Sequence, residues 1–132
     1  MSIKWMRILF VFAGIYDGVL GLAFLLYPAQ LFDHFGVPPP NHMGYVHFSA
    51  LLLLVFAVMF FRVAANPVKN RELILYGCGL KTAYCATVFG HAAWGAIPSI
   101  WLPWAWADLG FLALFLLAWW QLRRKAVPAQ DR

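Results

Sequence analysis

Four apolar runs, separated by short clusters of proline, asparagine and charge, account for most of this chain. They cover residues 8–27, 44–61, 73–94 and 103–122, each close to the roughly 20 apolar residues with which a helix crosses a hydrocarbon core about 30 Å thick. The pattern predicts four membrane-spanning α-helices. The interruptions have chemical causes. Pro28 directly follows Tyr27, and Pro38, Pro39 and Pro40 lead into Asn41, so the chain leaves the helix after the first run and turns before the second. Asn66, Pro67, Lys69, Asn70 and Arg71 form a polar turn after the second run, and Pro98, Ser99 and Pro103 do the same after the third. Pro103 suits a first helical turn, where its missing N–H costs little. In the first connection, Leu31, Phe32 and Phe35 interleave with Asp33 and His34, which suits a segment over 31–36 lying flat at the membrane interface. The connections are too short to hold a soluble unit, so the expectation is an all-α, polytopic four-helix bundle forming a single membrane domain over 1–132.

Composition agrees. The chain is 64% hydrophobic and 11% charged, against about 45–50% and about 25% in a soluble domain. This excludes an ordinary water-soluble domain, and disorder requires the opposite balance. The net charge of +5 follows from topology. Lys4 and Arg7 precede the first run, Arg62, Lys69 and Arg71 lie at or in the second connection, and Arg123, Arg124, Lys125 and Arg132 follow the fourth. The first and third connections carry no Lys or Arg, so the excess of positive charge places both termini on the cytoplasmic side of the cell membrane. A basic face beside anionic lipid explains the charge without a nucleic-acid partner. Trp94, Trp101, Trp104 and Trp106 gather at the outer boundary, and Trp5, Trp119 and Trp120 at the inner one. The first run reads as an anchor, not a secretory signal, because it carries Asp17 in its middle and ends in Tyr27-Pro28-Ala29-Gln30 instead of a small-residue cleavage site.

Cys78 and Cys85 are seven residues apart on the third helix, about 10.5 Å of rise, beyond the roughly 7 Å Cα limit for a bridge. They are expected as small buried hydrophobes.

The chemistry rests on ionisable residues inside the runs, where an unpaired charge is expensive. Asp17 is near the middle of the first helix, and Lys81 lies about 12 Å along the third from its start at Leu73. The two opposite charges share a level on different helices, so they are expected to face each other as an ion pair or as a neutral pair sharing a proton. Gly14, Gly18 and Gly21 give the first helix a close-contact face beside Asp17. Gly77, Lys81, Tyr84, Val88 and His91 form a stripe on the third helix, from which the Tyr84 hydroxyl is placed to reach Lys81 or Asp17. A second, outer polar layer is expected from His47, His91 and Asp108, with His34 and His42 in the first connection. Two histidines and a carboxylate at one depth can hold a metal, and two histidines on neighbouring helices a haem iron. No spacing places two ligands on one helical turn, so interfacial hydrogen bonding is the expected role, with no cofactor. Together Asp17, Lys81, Tyr84, His91, His47 and Asp108 trace a half-path from the midplane outward.

The chain resembles the small four-helix, DoxX-like bacterial membrane proteins. The likeness lies in a Gly-rich first helix closed by Pro28 and a following Leu-Phe pair, in Tyr45-Val46-His47-Phe48-Ser49-Ala50, in Ala65-Asn66-Pro67 with Asn70-Arg71, in Gly79-Leu80-Lys81, and in Ala107-Asp108 before an apolar run. It implies a fold and a membrane location, and carries no catalytic residues. Three functions fit the residues. The first is a non-enzymatic accessory, assembly or lipid-binding component, with the Asp17/Lys81 pair as internal glue and with membrane lipids, a second copy or a larger complex as partners. The second is a proton- or cation-coupled small transporter acting as a dimer, in which Lys81 opposite the acid argues against cationic substrates. The third is a haem or metal protein using His47 and His91.

Overall fold

The computed structural model describes residues 1–125. Five helices follow one another: α1 (Ile3–Leu26), α2 (Pro28–His34), α3 (Gly44–Ala65), α4 (Leu73–Trp94) and α5 (Trp101–Lys125). Among the described residues there is no strand. Four of the helices are long and apolar enough to cross a membrane. α4 coincides with its apolar run, whereas α1 begins earlier, α3 ends later and α5 does both, because backbone hydrogen bonding does not stop at the first charge. α1 starts at the Ser2 cap, whose hydroxyl accepts from the Trp5 N–H at 3.3 Å. α5 starts ahead of Pro103 and carries Arg123, Arg124 and Lys125 in its last turn, where cations complement the helix dipole. The segment expected to lie flat is a helix beginning three residues earlier, with Pro28 in its first turn, and Gly36 at φ 64° closes it. Between α3 and α4 the asparagines make the turn. Asn66 Oδ1 accepts from the Lys69 N–H at 3.0 Å, and Asn70 Nδ2 donates to the Arg62 carbonyl at 2.8 Å.

The long helices form two antiparallel pairs, α1 with α3 and α4 with α5. In the first pair the glycine face of α1 lies on α3. A methyl group at Gly21 would stand 2.9 Å from the Ala50 carbonyl oxygen, so the approach is set by backbone against backbone. In the second pair the buried Cys85 thiol donates to the Ala105 carbonyl at 3.3 Å, and Cys78 and Cys85 are both free. No more than 33% of any apolar span is buried, and side chains such as Phe12, at 66% exposure, point outward. Apolar surface on the outside of a bundle is what lipid requires and water penalises.

The interior follows a period of seven. Phe10, Asp17 and Phe24 recur on α1, Ile74, Lys81 and Val88 on α4, and Trp101, Asp108 and Phe115 on α5. Phe10 stacks on Phe115 with centroids 4.8 Å apart, and Phe24 meets Trp101 at 5.8 Å, so α1 and α5 run antiparallel in register. Three layers result, as in a coiled-coil seam. Phe10, Ile74 and Phe115 form a closed layer toward the start of α1 and the end of α5, with 0% exposure at each. Phe24, Val88 and Trp101 form a layer near the connecting loops, and the charged residues lie between the two.

Candidate functional site

Register places the Asp17 and Asp108 carboxylates at one level, each two turns from an aromatic contact on either side. Two buried like charges need a cation between them, and α4 supplies it. Lys81 Nζ donates to Asp17 Oδ1 at 2.7 Å and lies 2.9 Å from Asp108 Oδ1, the second contact being an ion pair without hydrogen-bond alignment. Asp17 and Lys81 are each 1% exposed and Asp108 is 6%. The rings of Tyr16, Phe111 and Phe60 surround the ammonium at 5.2, 5.3 and 5.8 Å, cation–π distances that replace part of the lost hydration. The expected Asp17/Lys81 pair is present, and Asp108 makes it a triad.

With two carboxylates to one ammonium, the ionised triad has one negative charge in excess. Among the described residues, Asp17 Oδ2, Asp108 Oδ1 and the Tyr16 hydroxyl are buried here without a hydrogen-bond partner, as Trp119 Nε1 and Gln121 Oε1 are toward the end of α5. Buried polar atoms are normally satisfied, and the first three cluster at the triad.

A cavity of about 570 Å³ lies directly against these atoms, on the loop side of the triad. Asp17, Asp108 and Tyr16 line its floor, whereas Lys81 is held behind them and does not line it. Phe24, Phe32 and Trp101 close its loop end, with mutual centroid distances of 5.8 to 6.3 Å. The side toward α3 and α4 is open, where Tyr45 and Leu52 of α3 stand across from Ala83 and Thr87 of α4, all exposed lining residues. Ser49 donates to the Tyr45 carbonyl at 2.9 Å and Thr87 to the Ala83 carbonyl at 2.8 Å, so these two hydroxyls are internally bonded and the exposed Tyr45 hydroxyl is the free polar group of a mostly apolar entrance.

Several expected placements are corrected. Tyr84 does not bond to Lys81 or Asp17; its hydroxyl donates to the Trp101 carbonyl at 3.2 Å and ties α4 to the start of α5. Asp108 does not form an outer layer with His47 and His91. Counting from Pro103 sets it too shallow, because α5 begins at Trp101, and Trp101 is tucked beneath Phe32 of α2. His47 and His91 are exposed and do not line the cavity, whose lining beside the triad includes Tyr84 and Val88 instead. His34 and His42 are exposed as well, and His42 Nδ1 accepts from the Gly44 N–H at 3.0 Å at the start of α3. Among the described residues no group of three His, Cys, Asp or Glu side chains is arranged to hold a metal.

No family model, curated protein or solved structure matches the chain.

Proposed function

We propose that this chain is a non-enzymatic membrane protein that binds an apolar molecule taken from the lipid phase, within the DoxX-like architecture its sequence resembles. The observation that carries this reading is the side-open cavity: its volume falls in the roughly 300–1,000 Å³ range of small-molecule sites, which are mostly apolar with a few convergent polar groups. Its entrance is mostly apolar and faces outward between α3 and α4, so the route in is from lipid. The concentration of Lys and Arg beside the N-terminus, in the α3/α4 turn and at the end of α5 supports an orientation with both termini in the cytoplasm. In that orientation the cavity occupies the outer half of the cytoplasmic membrane. Membrane lipids are the immediate partners, and the broad apolar outer faces suit assembly with a second copy or a larger membrane complex.

The transporter reading shares the triad but needs the opposite half to open, and Phe10, Phe60 and Phe115 fill that half. The haem reading loses support because His47 and His91 lie outside the cavity.

Native mass spectrometry of the full chain tests the binding reading. Ala83→Trp places a large ring across the mouth at a lipid-facing position, where it disturbs little of the core. The wild type is expected to release a bound apolar molecule on activation, and Ala83→Trp to emerge without it. Equal retention by both proteins, or none by either, contradicts the reading.

A further inference from the structure

The ligand's polar end can be specified further. We infer that the floor of the cavity receives a cationic head, so that the bound molecule is a lipophilic amine with its nitrogen against Asp17. The inference rests on the reading of the cavity as a ligand site. Three features of the two carboxylates at the floor point the same way. With both ionised the triad has one negative charge in excess, which either a proton shared by the acids or a bound cation neutralises, and the cavity gives a cation access to it. The cavity meets that charge from its negative side, because Asp17 and Asp108 line it and Lys81 does not. Asp17 Oδ2 is buried without a partner among the described residues and belongs to this floor. It can accept a hydrogen bond from an N–H but can donate none while ionised.

The walls beside the floor are suited to the same charge. Tyr16 and Trp104 meet with ring centroids 6.0 Å apart, and with Tyr84 they line the cavity around the acidic end. Aromatic faces attract an ammonium most strongly where water is excluded. Beyond them the lining turns to Leu20, Leu53 and Leu80, which suits a hydrocarbon tail leading toward the mouth. The sequence alone sets Lys81 against Asp17 and so argues against a cation; Asp108 reverses the sign of the site.

The test compares two probes with one chain length, N,N-dimethyldodecylamine, which is protonated at neutral pH, and 1-dodecanol, which is neutral. Each is added at equal mole fraction to the full chain in neutral detergent, and the thermal unfolding midpoint is followed, since a ligand that binds only the folded state raises it. The amine is expected to raise the wild-type midpoint and dodecanol to raise it much less. Asp17→Asn and Asp108→Asn each remove the excess carboxylate charge, and each is expected to abolish the difference between the two probes. Ala83→Trp is expected to abolish both responses. If dodecanol stabilises the wild type as well as the amine does, or if both Asn variants keep the preference, the cationic head is excluded while the cavity reading stands. If neither probe acts on the wild type, both the inference and the reading beneath it fail. The wild-type comparison needs no variant, so it decides the matter even where an Asn variant does not fold.

Discussion

The two halves of this bundle share one architecture and differ in what fills it. Toward the start of α1 and the end of α5, the layer of Phe10, Ile74 and Phe115 is roofed by Phe60, whose ring lies 6.1 Å from Phe10 and 5.1 Å from Phe115. On the loop side the same helices present Phe24, Val88 and Trp101, and α3, stepping by seven from Phe60, presents Leu53 and Val46. Phe24 matches Phe10 in size and Trp101 exceeds Phe115, so only Val88 and the α3 residues are smaller than their counterparts; the space lies between the triad and the Phe24, Phe32 and Trp101 rings. The comparison teaches that the cavity does not need a break in the helices, and that the charged triad is the boundary between a packed half and an open one.

Removing the boundary has the largest expected effect. Lys81→Ala leaves two carboxylates facing each other without a cation, and breaking a buried pair in this way costs about 3–5 kcal/mol. Denaturant unfolding in mixed micelles measures it. Asp17→Asn in the Lys81→Ala background is expected to recover part of the loss, because it removes one of the two stranded charges. An unchanged stability in Lys81→Ala contradicts the triad.

The two halves are next separated by truncating matched positions on α3. Phe60→Ala empties a closed layer and is expected to cost about 3–5 kcal/mol, the range for large-to-small core changes. Leu53→Ala enlarges an existing cavity and is expected to cost less than half as much by the same assay. Equal costs would mean that the loop half is as tightly packed as the other.

Enlargement gives the smallest effect and keeps the same order of the two halves. Ala118→Leu overpacks the closed half and is expected to destabilise by about 1–3 kcal/mol, whereas Val88→Leu projects into space and is expected to stay within about 1 kcal/mol of the wild type. A destabilisation by Val88→Leu as large as that by Ala118→Leu breaks the comparison.

Much of this architecture is legible in the sequence. Hydropathy and prolines located the four spans because lipid and backbone chemistry leave few alternatives. Asp17 and Lys81 met because two opposite charges at one depth have little choice. Asp108 lies deeper than an apolar run starting at Pro103 implies, because the start of α5 is set by Trp101 packing on Phe24 and Phe32, a tertiary contact with no local signal. A signal did exist in the spacing: an acid with aromatics seven residues to each side occurs on both α1 and α5, in Phe10-Asp17-Phe24 and Trp101-Asp108-Phe115. The histidines misled because a polar residue near a helix end satisfies itself at the surface and need not face inward, as His47 and His91 do not. The cavity is lined from α1, α2, α3, α4 and α5 together, which no single segment encodes.

The open and closed halves are distinguished most directly by photolabelling the full chain in a bilayer with a small apolar aryl diazirine and mapping the modified residues by mass spectrometry. Outward-facing side chains such as Phe12 and Val19 are labelled in any arrangement and serve as the internal standard. The expected result is labelling of Val46, Leu53 and Val88 as well, with Phe10, Phe60, Ile74 and Phe115 unmodified. Protection of Leu53 and Val88 equal to that of Phe60 and Ile74 would contradict the account.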